Sequence, residues 1–263
     1  MNISKYLRTF IIFIKASFTK ELDFRFNFIM TLIGSFCFIV SYILTLVFLF
    51  NNISIGNWST KDMWLLLGIA LTIYYAIFYL FWRGLVYLGR NIINGQFDFY
   101  LLRPIDTQFL SSFRGGGMHN LIALIFGIAL TIVAISNLGI NVTPFTYIFF
   151  ILAIIISILD FYNLLFAIMT LSFKYGDAAE LFYLAFNFQD IMRYPAESFF
   201  KAPIMLLLIA VPFSALSTVP AMILKSSLFP FKEFAVFVSL SIVFNFLVRI
   251  FWISQLKFYT SGS

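Results

Sequence analysis

The sequence predicts an all-α, polytopic integral membrane protein with six transmembrane helices, and three observations carry that reading. Of the 263 residues, 62% are hydrophobic and 11% charged, whereas soluble domains run about 45–50% apolar and about 25% charged. The mean hydropathy is +1.00. Runs of about 20 residues almost free of charge recur along the chain, each long enough to cross a hydrocarbon core of about 30 Å. So much apolar surface also excludes a disordered chain.

The first element, residues 1–25, is not a span. Leu7, Phe10, Ile11, Ile14, Phe18 and Leu22 recur at helical spacing, with Lys5, Arg8 and Lys15 on the opposite side. That is the pattern of a basic amphipathic helix lying in the membrane interface; an irregular tail is the alternative. The apolar stretch 10–14 is short and runs into Lys15, Lys20, Glu21 and Asp23, so it does not read as a cleavable signal peptide.

Six spans follow, at about 26–50, 61–81, 118–136, 144–172, 202–224 and 234–256. Asn51, Asn52 and Asn57 link the first two, Trp58 is an interface anchor, and Ser59 or Thr60 offers an N-cap. Residues 82–117 form the longest polar connection and hold Arg83, Arg90, Arg103 and Arg114. A brief turn occupies 139–143. Residues 173–201 carry Lys174, Asp177, Glu180, Asp190, Arg193, Glu197 and Lys201 and are too charged for a span. The fifth span contains Pro203, Pro212 and Pro220.

Basic residues orient the spans. With the N-terminus inside, only Lys61, Lys225 and Lys232 of the 17 Lys and Arg fall outside. Both termini and the largest loop are then cytoplasmic, and the net charge of +6 reads as orientation, with no nucleic acid implied. No repeat and no hydrophilic stretch large enough to fold alone interrupts 1–263, so the chain is one membrane domain.

Few chemistries are open to it. Cys37 and His119 are the only residues of their types, which leaves no disulfide framework, no HExxH and no metal cluster. No GxxxxGK[ST] loop is present, so ATP cannot bind by that means. An intramembrane lipid-modifying enzyme would need clustered acids or a nucleophile–base set, and the scattered Asp160, Asp177 and Asp190 do not make one. No catalytic residue and no bound cofactor is expected on this chain.

The most informative stretch is 91–104. Ile93, Phe97, Tyr100 and Leu101 share one helical face, while Asn94, Asp98 and Arg103 stay polar. Pro104 disfavours helix at Arg103. A short amphipathic helix on the cytoplasmic side suits docking to a soluble partner. From pattern alone it fits equally a helix resting on membrane lipids.

Here the sequence resembles a known family. Ile93-Asn94-Gly95-Gln96-Phe97-Asp98, then Leu101-Leu102-Arg103-Pro104, is similar to the I-x-x-G-x-L-D-x-x-L-x-R-P loop of permease subunits of type-2 ABC exporters, with Phe97 replacing the usual Leu. Three further matches keep the expected order: Arg193-Tyr194-Pro195; Val211-Pro212 with Val219-Pro220-Ala221; and Phe251-Trp252 with Lys257-Phe258-Tyr259-Thr260-Ser261. The resemblance implies a six-helix permease half in a bacterial cytoplasmic membrane. It would pair with a second permease subunit, identical or different, and with separate cytoplasmic ATPase subunits that bind ATP and Mg. Residues 91–104 would be the coupling helix, with Gly95, Phe97, Asp98, Leu101, Leu102, Arg103 and Pro104 as its contact residues, braced by the N-terminal helix. The job implied is export.

Two charges lie inside spans. Asp160 is 12 residues before Ser172, about 18 Å deep, and Arg249 eight before Lys257, about 12 Å deep. An ionisable residue at such depth is functional by default. They could form a buried ion pair, or Arg249 could snorkel to the headgroups while Asp160 bonds locally to Asn163 or takes a proton. In the fifth span, Pro212 and Pro220 flank Ser214, Ser217 and Thr218, and each interior proline removes a backbone hydrogen bond. The resemblance implies a re-entrant exit gate on the outer side; a kinked helix fits the residues equally. The cargo is not readable: drugs or antibiotics, antimicrobial peptides, lipid-like molecules and glycans are all open. A membrane scaffold or immunity protein without transport is the rival role.

Overall fold

The computed structural model describes residues 3–23, 25–52, 58–114, 117–139, 143–201, 203–226 and 230–260, and every regular element among them is helical. The long helices are α1 (Ile3–Asp23), α2 (Arg25–Asn52), α3 (Thr60–Leu80), and α4 (Trp82–Ile93), which continues α3 after a break at Phe81. Two short helices, α5 (Asp98–Leu101) and α6 (Thr107–Ser112), lead to α7 (Met118–Leu138) and α8 (Pro144–Thr170). After α9 (Ser172–Tyr175) and α10 (Ala179–Asn187) come two 3-10 turns, Phe188–Arg193 and Ala196–Phe199, then α11 (Ile204–Lys225) and α12 (Phe231–Gln255).

The ends of these helices follow local chemistry. Ser59 caps α3 in a reciprocal box, accepting from the Asp62 backbone N–H at 3.3 Å while its own N–H donates to Asp62 Oδ2 at 2.9 Å. Thr143 caps α8 and Pro144 occupies its first turn, where a missing N–H costs nothing. Gly139, at φ 65°, closes α7.

Four helices are long and apolar enough to cross a membrane: Thr60–Leu80, His119–Leu138, Pro144–Tyr175 and Phe231–Phe258. Two of the six expected spans are represented by shorter apolar stretches, Phe28–Ser41 within α2 and Ile209–Lys225 within α11. The apolar window of α3 is 72% buried, those of α7 and α12 only 22%. Hence α3 is the centre of the bundle, and α7 and α12 turn rows such as Ile125, Ile132, Leu240 and Phe246 outward. Those rows have no water-soluble rationale and suit lipid. Close approach of α3 to α7 rests on small residues: a Cβ on Gly68 would stand 2.7 Å from Thr131 Oγ1 and 2.8 Å from its backbone N.

Residues 173–201 contribute no membrane-length helix beyond Tyr175, as their charges lead one to expect, yet they pack closely on the bundle. Phe182 and Met192 are fully buried. Phe188 meets Phe213, the Met192 carbonyl accepts from Ser217 Oγ, and the Ala196 N–H donates to Thr218 Oγ1. The chain therefore runs beside α11 in the same direction before returning to start it. Two hydroxyls of the neighbouring helix thus serve backbone groups of the 3-10 turns.

The helix α11 itself runs through both prolines. Pro220 has no N–H to give to the carbonyl of Leu216, and Ser157 Oγ on α8 donates to that carbonyl instead, at 2.6 Å. Ser214 folds back onto the carbonyl of Ala210. The backbone bond lost at Pro220 is thus replaced by a contact between helices, and of the two readings of 212–220 the structure has the proline-containing helix and not the re-entrant element. Ser157→Ala should leave that buried carbonyl unsatisfied and cost about 1–2 kcal/mol. A detergent melting temperature equal to wild type would show that the bond contributes nothing.

Candidate functional site

The bundle has two ends, one carrying the 94–106 loop and the other Asp62 and Lys225. At the loop end, α4 stops after Ile93, and Gly95 turns the chain at φ 69°, a conformation that favours glycine. The Phe97 N–H returns to the carbonyl of Asn91 at 3.0 Å, and Asn91 Nδ2 donates to Tyr100 Oη at 3.0 Å. The expected continuous helix over 91–104 is therefore a turn followed by the four-residue α5. Its faces are also sorted differently from the periodicity. Phe97 and Tyr100 are buried, whereas Ile93, Phe99, Leu101 and Leu102 are exposed, Leu102 by 81%. A tight turn rotates Phe97 away from Ile93, so the two no longer share a face.

Phe97 anchors the loop. Its ring packs on Phe173 at 5.1 Å, Tyr259 at 5.2 Å and Trp252 at 6.0 Å. Asp98 stands near the Tyr259 hydroxyl, whose pKa is raised by burial first and by that carboxylate second. Loop and C-terminal end, some 155 positions apart, form one aromatic knot. The exposed rim that remains, with Arg103 and Pro104, projects from a rigid base.

Immediately after the loop lies a polar network. Asp106 caps α6 by accepting from the Phe109 N–H at 3.1 Å, and its carboxylate takes both guanidinium nitrogens of Arg249 on α12, at 2.5 and 3.3 Å. Arg249 also donates to Gln108 Oε1 at 2.7 Å. Ser112 Oγ meets Tyr162 Oη of α8 at 2.6 Å. From the other side, α1 grips the same segment: Lys5 Nζ donates to the Pro104 carbonyl at 3.2 Å, and the Asp106 N–H donates to Tyr6 Oη at 3.2 Å. Further along α1, Arg83 donates to Ser17 Oγ at 2.7 Å. A displacement of the loop must accordingly move α1, α8 and α12 together.

Asp160 and Arg249 do not pair. Asp160 accepts from Ser241 Oγ and, at 3.1 Å, from Asn245 Nδ2, while Asn163 Nδ2 donates to Asn245 Oδ1 at 2.6 Å. The reason is register. Ser241 is level with Asp160, and Arg249 lies eight residues further along α12, about 12 Å nearer the loop end. At the opposite end, Lys225 Nζ is 3.2 Å from Asp62 Oδ2 and 4.2 Å from the centre of the Trp58 ring, tying the last turn of α11 to the first of α3.

Residues 7–263 match the family described as ABC-2 family transporter protein. The chain belongs to that family. No curated protein and no solved structure matches it. As a membrane component of the ABC-2 transporter family, it has its family motifs in spatial pairs. The loop motif meets the terminal one through Phe97, Trp252 and Tyr259, and Arg193-Tyr194-Pro195 is flanked by the bonds from Met192 and Ala196 to α11.

Several residues of this ABC-2 protein escaped the sequence reading. Asp106, Gln108 and Tyr6 were outside the 91–104 window, although Asp106 after a proline and three residues before Phe109 is a readable N-cap. Asn163, Ser241 and Asn245 carried no signal, because single polar residues in an apolar run do not reveal which neighbour they face. The amphipathic α1 also divides three ways. Tyr6, Phe10 and Phe13 face the protein, Leu7, Ile11 and Phe18 are exposed apolar residues, and Lys5, Arg8 and Lys15 are exposed charges.

Proposed function

We propose that this chain is one permease half of an ATP-driven exporter, with both termini and the loop end in the cytoplasm. Two halves, identical or paired with a different permease, would assemble side by side, and separate ATPase subunits carrying ATP and Mg would seat on the two loops. One observation carries this reading: Ile93, Phe99, Leu101 and Leu102 are between 49% and 81% exposed, beside the charged Arg103, on the polar side of a membrane bundle. Apolar residues clustered there call for a protein cover. The ATPase step needs mechanical transmission, and the ties from the loop to α1, α8 and α12 supply a path for it. Cargo would leave at the Asp62–Lys225 end. An amphipathic or lipid-like substrate suits the aromatic interior.

The test is co-purification followed by hydrolysis. Leu102→Asp with Arg103→Glu should leave membrane insertion and the melting transition unchanged, because both side chains are exposed and neither supports the knot. The same change should lower retention of a cytoplasmic ATPase at least tenfold, since about 1.4 kcal/mol suffices for each factor of ten. Undiminished retention would remove the coupling role of this rim.

A further inference from the structure

A cavity opens beside the coupling rim and shares Phe99 and Arg103 with it. Phe13 of α1, Gln96, Phe99, Tyr100, Arg103 and Arg114 enclose a cavity of about 380 Å³, floored by the buried Leu110. Its wall contains two guanidinium groups and no carboxylate. Arg114 is held from below by two aromatic faces, Tyr100 at 5.2 Å and Tyr87 at 5.8 Å from its guanidinium carbon. That stacking fixes the direction of the fork and leaves its edge for a ligand. Burial also pulls the Arg114 pKa down, so an anion brought to it would be stabilised by a poorly hydrated cation.

The depth of the cavity is set by α1. Leu7, Ile11, Ile12 and Phe18 point away from the protein, so this helix lies in the interface with its apolar face toward acyl chains. A cavity walled by Phe13 of that helix opens at the headgroup layer. One side offers Arg103 and Arg114, the other Phe13, Phe99 and Leu110. We infer that this cavity binds the phosphate headgroup of an anionic phospholipid, with Arg103 and Arg114 on the phosphate and the glycerol end against Phe13 and Phe99. Planar forks match phosphate oxygens two at a time. The site would make the position of the loop responsive to the charge of the membrane. It rests on the interfacial placement of α1 and can be tested with no ATPase present.

Native mass spectrometry of the full chain in detergent, without an ATPase partner, tests this. Phosphatidylglycerol and phosphatidylcholine are supplied in equal amounts. Wild type should retain phosphatidylglycerol at least tenfold over phosphatidylcholine. Arg103→Gln should weaken that retention about tenfold or more, as expected for loss of one charge-assisted hydrogen bond. Arg114→Lys keeps the charge without the fork and should weaken it too, at an unchanged melting temperature. Equal retention of the two lipids would overturn the assignment, as would an undiminished phosphatidylglycerol adduct in the Arg103→Gln, Arg114→Lys double variant. Displacement by millimolar inorganic phosphate would overturn the lipid source in favour of free phosphate. Loss of the adduct once an ATPase is bound, with no lipid in the complex, would give the cavity to a partner side chain.

Discussion

Alanine at Gly84 should remove most of the folded protein. A Cβ there would lie 2.1 Å from the Ser112 carbonyl oxygen, 2.5 Å from that of Ser111 and 2.6 Å from the Ser112 carbonyl carbon. All three are backbone atoms, so no side chain can swing aside. The segment they belong to is pinned as well. Ser112 is fully buried and its hydroxyl bonds the Gln108 carbonyl and Tyr162 Oη, both at 2.6 Å. Pushing it away would drag α8 out of register or break the bond to Tyr162. Overpacking a core costs about 1–3 kcal/mol when side chains yield; with rigid backbone on both sides the cost should be at the top of that range or above. Against a total stability of about 5–15 kcal/mol, that is a large share. Gly34 is the control, because nothing lies within 4 Å of a Cβ added there. Monodisperse yield and melting temperature should fall sharply for Gly84→Ala and stay at wild type for Gly34→Ala. Wild-type behaviour of both would mean that α4 and α6 are not packed as described.

Such contacts mark the limit of what the amino-acid order reveals. Local chemistry was readable: Ser59, Thr143 and Pro144 begin helices where capping rules place them, and Pro104 ends the 91–104 element, because each effect acts within a single turn. Four of the spans were readable from hydropathy for the same reason, since lipid is a solvent each helix meets alone. The packing of 173–201 was not. Its charges showed that it is no span, but not that Asp190 and Arg193 compensate each other at 2.7 Å within one turn or that two hydroxyls of α11 serve its backbone. Periodicity treats charges singly and cannot see that compensation. The partner of Arg249 was hidden for a different reason. Depth along a helix can be counted, but the azimuth and register of the helix beside it cannot, and Asp106 is 143 positions away. The loop motif was legible as a motif and its shape was not, because a positive φ at Gly95 converts a helical face into a turn.

Arg249 is where a stability effect and a functional one should separate. Its side chain is 42% exposed and that of Asp106 is 31% exposed, so solvent screens the pair in spite of its two-pronged geometry. An exposed pair contributes on the order of 1 kcal/mol or less, and Arg249→Gln should therefore melt within a few degrees of wild type. Transmission is another matter. Arg249 is the polar contact through which the segment after the loop holds α12, and without it only the Phe97–Trp252 packing still couples the two. ATP-dependent export by the assembled complex should drop at least tenfold, with partner binding intact. Asp106→Asn isolates the ion pair, because asparagine caps a helix as well as aspartate does, so α6 and its contact with Tyr6 survive. If the pair acts as one unit, Asp106→Asn, Arg249→Gln and the double variant should all lose activity to the same extent. Multiplying losses in the double variant would mean that the two residues act independently, and Arg249 would then be only a packing residue of α12. The comparison also separates this network from the Asp160 cluster, one polar layer deeper on α12. Because that cluster is about 12 Å away and shares no hydrogen bond with Asp106, Asp160→Asn should combine additively with Arg249→Gln.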